Sequence, residues 1–234
     1  MRKAETAPWP PGTLLAQLPA STAAALLALG AEQHMPTGRI LMREGSAESH
    51  VVIIRRGVAK VTVEMADGRP ALLSIRCAGD LLGELSALSG APRSATVTMC
   101  GHGVIRVISR REFAPFLSAH PEAAMALTTM VGERLRWSNR RRVDFTAYPV
   151  KVRVARVLTE LAERYGRTDP EGTVEIGVRL TQPELATLCG AAEISIHKAL
   201  RDLRHAKVVS CYYGRIVVQD LTVLSGIAGL VDAY

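Results

Sequence analysis

Residues 83–97 read Gly83-Glu84-Leu85-Ser86-Ala87-Leu88-Ser89-Gly90-Ala91-Pro92-Arg93-Ser94-Ala95-Thr96-Val97. A glycine beside a carboxylate lets backbone N–H groups approach a ligand closely, while Glu84 can accept a hydroxyl hydrogen. Nine residues on, Arg93 offers a planar, permanently charged fork suited to phosphate, with the Ser94 hydroxyl beside it. An anion site next to a hydroxyl acceptor fits a ribose phosphate. Glu84 and Arg93 taken alone favour a structural salt bridge across a loop, so the surrounding sequence has to decide.

Those surroundings are strand-like from Arg39 to Ser109, with β-branched runs at His50–Arg55, Val58–Val63 and Val104–Ile108. Gly57, Gly68 and Gly79 recur at a spacing that fits hairpin turns, and Asp67-Gly68 is the clearest two-residue turn signal. Such a meander closes into a barrel or roll. From Arg110 the period turns helical, and between Pro121 and Pro149 only Gly132 interrupts it, which predicts one long helix. Its small and apolar positions Ala124, Thr128, Val131, Leu135, Ser138 and Phe145 step by three or four into one narrow stripe. The remaining surface reads as charged, Arg140-Arg141-Arg142 included. A lone seam between two domains is short of partners in its own chain, so it is expected to pair with the same helix of a second copy. The alternative is packing back onto the roll. Pro149 restarts a helix to about Tyr165, making Phe145–Pro149 a hinge, and Gly166–Gly172 reads as a polar loop.

The 83–97 string resembles the phosphate-binding cassette of the cyclic-nucleotide-binding domain in the CRP/FNR superfamily of bacterial regulators: Gly-Glu-Leu, a short loop, then Pro-Arg-Ser-Ala-Thr-Val. The resemblance extends through Pro36, Gly38, Glu44-Gly45, Gly57-Val58, Asp67-Gly68 and Gly79-Asp80, and covers about Leu14 to Leu221. It implies an α+β fold: an N-terminal cyclic-nucleotide-binding β-roll, jelly-roll-like, over 1–120; a dimerisation helix and hinge over 121–148; and a C-terminal winged helix-turn-helix over 149–234. It further implies that Gly83, Leu85 and Ser86 line the ligand, that Glu84 takes the ribose 2′-hydroxyl, and that Arg93 and Ser94 hold the cyclic phosphate. Ser138-Asn139 stands where the family offers two polar residues, usually Thr-Ser, to the base. Cyclic AMP is the expected effector, with guanine at the base still open, and another effector or none is the rival. With no N-terminal cysteine cluster and Cys77 alone, neither an iron–sulfur cluster nor haem is expected.

Further along, Thr181-Gln182-Pro183-Glu184 is a capping box: Thr181 caps, and Glu184 stands three residues on, before apolar Leu185 and Leu188. That helix stops at Gly190 and a second begins with Ala192. Leu185, Ala186, Cys189, Ala191, Ile196 and Ala199 are small or apolar where two helices crossing through a tight turn must touch, which is a helix-turn-helix. Val208–Val218 reads as a hairpin wing. Lys198, Arg201 and Arg215 can neutralise phosphates, and Thr181, with Gln182 beside it, can bond one. Glu193, Ser195, His197 and Lys198 lie early in the second helix, where base edges are reached. The superfamily often has Ser-Arg-Glu-Thr-Val-x-Arg here, whereas this chain has Ala192-Glu-Ile-Ser-Ile-His-Lys198. The docking mode therefore carries over, but the familiar operator does not.

Composition sets the outer limits. At 234 residues, 48% hydrophobic and 22% charged, the chain is globular and long enough for two domains. The net charge of +7 is not concentrated in the C-terminal part: residues 1–149 hold 18 Lys and Arg against 12 Asp and Glu, and 150–234 hold 11 against 10. No run of 18 apolar residues exists, so no membrane span is expected. Arg2 and Lys3 ahead of Ala23–Gly30 imitate a secretory signal, but Pro8, Pro10, Pro11 and Pro19 break it and Ser21 reads as a helix N-cap, so a cytoplasmic protein is expected. Cys77, Cys100, Cys189 and Cys211 are scattered without metal spacing and read as buried hydrophobes, so no metal is expected. None of the common nucleophile, P-loop or zinc-protease motifs occurs, which argues against an enzyme. The expected partners are double-stranded DNA, a second copy through helix 121–145 and, by the resemblance, RNA polymerase. A protein-interaction adaptor is the remaining class, and the salt dependence of DNA retention would separate it.

Overall fold

The computed structural model describes residues 9–230 and divides into two compact units, residues up to 61 with 75–135, and 62–74 with 136 onward. Arg2, Lys3 and Pro8 of the signal-like start lie outside the described residues.

The described chain runs through α1 (Leu14–Gln17) and α2 (Ala20–Ala28), then β1 (Ala31–Met35), β2 (Ile40–Met42), β3 (Val51–Arg56), β4 (Val58–Glu64), β5 (Pro70–Cys77) and β6 (Leu81–Leu82), residues 62–74 of the β4–β5 hairpin belonging to the second unit. Then come α3 (Glu84–Ser89), β7 (Thr96–Met99), β8 (Gly103–Ile108), α4 (Arg110–Ala119) and α5 (Pro121–Ala147). Two four-stranded sheets, in the orders β1-β8-β3-β6 and β2-β7-β4-β5, make the expected roll. The middle of β3 shows why it forms: Val51 and Ile53 pack with Leu26, Phe113 and Leu127, while Val52 and Ile54 pack with Val97, Met99 and Ile105. A strand buried on both faces needs the continuous apolar run found there. The hairpin expected at Asp67-Gly68 forms, but its loop has three residues, 66–68, rather than two, with Gly68 at φ +78 and Met65 N–H donating to the Arg69 carbonyl at 2.9 Å.

Three local expectations need correcting. Helix α2 begins at Ala20 with Pro19 as its cap, so Ser21 lies within the first turn and caps nothing. Proline's fixed φ pre-sets the entry two residues earlier. Helix α5 carries a second apolar stripe, Ala123, Ala126, Leu127 and Met130, which is buried against the roll's helices and β3. The anticipated seam is therefore one of two stripes, and Leu135 on it is 61% exposed, as are Met125 and Val143 to similar degrees. Of the cysteines only Cys189 is buried, the other three being half-buried.

In the second unit α6 (Val150–Tyr165) is capped by Pro149 and followed by β9 (Gly166–Thr168), β10 (Val174–Ile176), α7 (Gln182–Cys189), α8 (Glu193–His205), β11 (Val209–Tyr212), β12 (Arg215–Val218) and α9 (Leu221–Ile227). The sheet order is β11-β12-β10-β9. Residues 166–168, expected in a loop, form a strand because they pair with Val174–Ile176 across the Asp169–Gly172 turn. Helix α5 also runs through Phe145 to Ala147, so the break expected over Phe145–Pro149 narrows to Tyr148 and Pro149. No helix among the described residues is long and apolar enough to cross a membrane.

Candidate ligand pocket and nucleic-acid interface

Gly83 sits at φ +81 as the residue before α3, and a Cβ there would fall 2.3 Å from Arg93 Nη1 and 2.9 Å from the His50 carbonyl oxygen. The absent side chain makes room for the arginine. Arg93 is 3% exposed and donates from Nη1 to the Gly83 carbonyl at 3.0 Å and from Nη2 to the His50 carbonyl. Loop residues hold its backbone, Gly45 N–H donating to the Arg93 carbonyl and Arg93 N–H to that of Ser46. Its Nε is buried with no hydrogen-bond partner, and among the described residues no carboxylate pairs with it. Burial pulls its pKa down, against the opposing charges of Glu48 and Glu84. A buried cation hydrogen-bonded only to two carbonyls, with no carboxylate in contact, is costly unless an anion completes the site.

Glu84 is buried too, but it does not bridge to Arg93. Arg134 of α5 donates to it at 2.9 Å, and also to Asp80 at 3.1 Å and the Leu81 carbonyl at 2.8 Å. Sequence reasoning missed Arg134, which looked like one more solvated charge. The only available signal was its position one helical turn before Ser138. The expected residues thus divide. Gly83, Glu84, Ser86 and Arg93 come together as buried or half-buried groups, while Leu85 and Ser94 are exposed at the rim. Ser138 and Asn139 are exposed on α5. His50, half-buried, has its pKa lowered by desolvation first and by the Arg93 charge second.

The second unit builds its face from helix ends. Thr181 Oγ1 accepts from Glu184 N–H at 3.3 Å while Glu184 accepts from Thr181 N–H at 2.8 Å, completing the capping box. Gly190, at φ +58, ends α7. Leu185, Ala186, Cys189, Ile196 and Ala199 are buried, whereas Ala191 is half-buried. Arg141 donates to the Leu188 carbonyl at 2.8 Å, and Arg153 to those of Cys189 and Gly190 at 3.0 and 2.9 Å. These cations satisfy the orphan carbonyls at the end of α7 and oppose its negative pole. Burial pushes the Cys189 thiol up to about 12.

On α8, Glu193, Ile194, His197, Lys198 and Arg201 are exposed, and Ile196, Ala199, Leu200 and Leu203 are buried. Ser195 is half-buried, and Thr181 and Gln182 are exposed at the start of α7. Two candidate residues are engaged: Glu193 accepts from Arg69 at 3.4 Å, and Arg215 pairs with Glu175 at 2.9 Å. Strands β11 and β12 pair from Val209 with Val218 to Tyr212 with Arg215, giving the expected wing with Tyr213 and Gly214 at its tip.

Residues 32–120 match the Cyclic nucleotide-binding domain family and residues 152–227 the Crp-like helix-turn-helix domain. A CRP-like cAMP-activated global transcriptional regulator of Mycobacterium tuberculosis (strain ATCC 25618 / H37Rv) is 33% identical over 79% of this chain and 82% of its own length. The chain belongs to the CRP/FNR family of DNA-binding transcription regulators. Like those relatives, this CRP/FNR regulator is not an enzyme. The CRP of Salmonella typhimurium (strain LT2) is 24% identical over 78% of the chain and 87% of its own. A CRP-family regulator of Thermus thermophilus superposes with a TM-score of 0.70 at 22% identity, covering 84% of this chain and 96% of that one. The c-di-GMP responsive regulator CLP of Xanthomonas campestris gives 0.71 at 19% identity, covering 86% and all of that chain.

Proposed function

We propose that this family member is a homodimer whose operator binding is controlled by a cyclic nucleotide, cyclic AMP, held between Gly83, Glu84, Leu85, Ser86, Arg93 and Ser94. The observation that carries the reading is Arg93, a buried guanidinium with an orphaned Nε and no carboxylate partner among the described residues. A phosphate oxyanion supplies the missing countercharge. Glu84, already ordered by Arg134, accepts the ribose hydroxyl on a preformed carboxylate, so the ligand is felt at a side chain of α5. Ser138 and Asn139, one turn further along the same helix, meet the base. Ligand binding thereby biases the packing of α5 and, through it, the placement of the reading helix. The names of the mycobacterial and enterobacterial relatives favour cyclic AMP.

Calorimetric titration tests the pocket. Wild type binds cyclic AMP more tightly than cyclic GMP, and Arg93→Ala loses about 2–5 kcal/mol, the cost of removing one member of a buried charge pair. Equal affinity of variant and wild type rejects the pocket, leaving a regulator with another effector or none. The dimer is supported by the exposed apolar residues of α5, Met125, Leu135 and Val143. Sedimentation equilibrium should give a dimer for wild type and a monomer for Leu135→Glu. In this reading the domain limits are 1–120, 121–148 and 149–234, the protein works in the cytoplasm, and RNA polymerase is the partner it acts through. DNA is approached through Thr181, Gln182, Ser195, His197, Lys198 and Arg201, with Glu193 and Arg215 recruited from their ion pairs.

A further inference from the structure

Helix α8 carries one residue that neither its own fold nor phosphate neutralisation explains. Ile194 is 80% exposed in the first turn, while the helix's core side is complete without it in Ile196, Ala199, Leu200 and Leu203. Three and four residues on stand His197 and Lys198, and seven on stands Arg201, all exposed. Spacings of three, four and seven put them on the same face as Ile194. An isolated β-branched apolar group framed by cations suits a polyanion that offers an apolar spot among its charges. Among the four bases only thymine does so in the major groove, through its C5-methyl group.

We propose that Ile194 reads a thymine methyl group in each half-site of the operator. The inference rests on α8 being the helix that enters the groove. Lys198 and Arg201 on its face select DNA as the occupant over an apolar protein surface, because desolvating two cationic side chains against such a surface is unfavourable. Adjacent Glu193 is a hydrogen-bond acceptor, so the first turn of the helix presents an apolar and a polar contact at neighbouring positions. Ile194 lies outside the buried side of α8, so its replacement should leave folding intact.

The experiment uses the full-length protein, with cyclic AMP present, and the duplex it selects from a random pool. Each thymine is replaced in turn by uracil, which removes only the methyl group. A uracil in one half-site should weaken binding by wild type about fourfold, and one in each of the two half-sites about fifteenfold, as expected for one buried carbon each. The Ile194→Ala variant, with the wild-type thermal midpoint, should bind thymine and uracil duplexes equally well. Uniform tolerance of uracil by wild type, or the same methyl preference in Ile194→Ala, overturns the assignment. So does an Ile194→Ala defect in binding RNA polymerase with no change on DNA. Failure to select any duplex sequence instead removes the underlying reading of α8.

Discussion

The pocket and the reading helix both depend on positive charge, and they hold it in opposite ways. In the first unit Arg93 is buried and Arg134 half-buried, and the terminal guanidinium nitrogens of both are aimed at fixed acceptors. On α8, Lys198 and Arg201 stand in water, Arg201 meeting Asp202 at 3.9 Å. Buried charge concentrates its effect in one residue and is little screened by salt, whereas exposed charge acts through its sum and is screened within about 8 Å at physiological ionic strength. Single substitutions in the pocket should therefore be decisive, and those on α8 graded.

The sharpest test of that contrast lies within the pocket. Arg134→Met strands the buried carboxylates of Asp80 and Glu84 and should lower the unfolding free energy by about 3–5 kcal/mol in denaturant titrations. Arg93→Met strands only two carbonyls, so its stability cost should be smaller even though ligand binding disappears. If the two variants lost stability equally, Arg93 would be a structural group rather than a ligand's partner. On α8 the expected change is smaller. Lys198→Ala should weaken DNA binding on all sequences alike and make the slope of log K against log salt shallower by about one per subunit. A change in sequence preference without a change in slope would make Lys198 a base reader. The smallest effect concerns His50. Its folded pKa lies below 6.5, so once pH drops below that value the unfolded chain binds protons that the native state refuses, and stability falls. The thermal midpoint of His50→Gln should decline less steeply than that of wild type as the medium is acidified below pH 6.5.

What the sequence disclosed divides along the same line. Contacts made within a few residues were readable: the Asp67-Gly68 turn, the Thr181–Glu184 capping box, the stop at Gly190 and the wing all depend on local chemistry. The cassette was readable as a string, but the contact of Arg93 with the Gly83 carbonyl was not. Contacts that depend on distant partners were not. Arg134 finds Glu84 across 50 positions, and neither residue's neighbours predict it. The second stripe of α5 is four small or apolar residues that acquire meaning only when β3 and the roll's helices supply the other surface. Gly166–Thr168 is polar enough for a loop and becomes a strand because β10 offers it free hydrogen-bonding groups.

Position 83 shows how little freedom such a site leaves. Any methyl group there would collide with the guanidinium at 2.3 Å and would also have to accept a left-handed backbone. Two separate penalties thus fall on the same atom, and relieving one leaves the other in force. A single hydrogen acts as the mould in which the arginine is cast, so mutational drift at 83 must show itself first as a displaced cation 10 residues further along the chain.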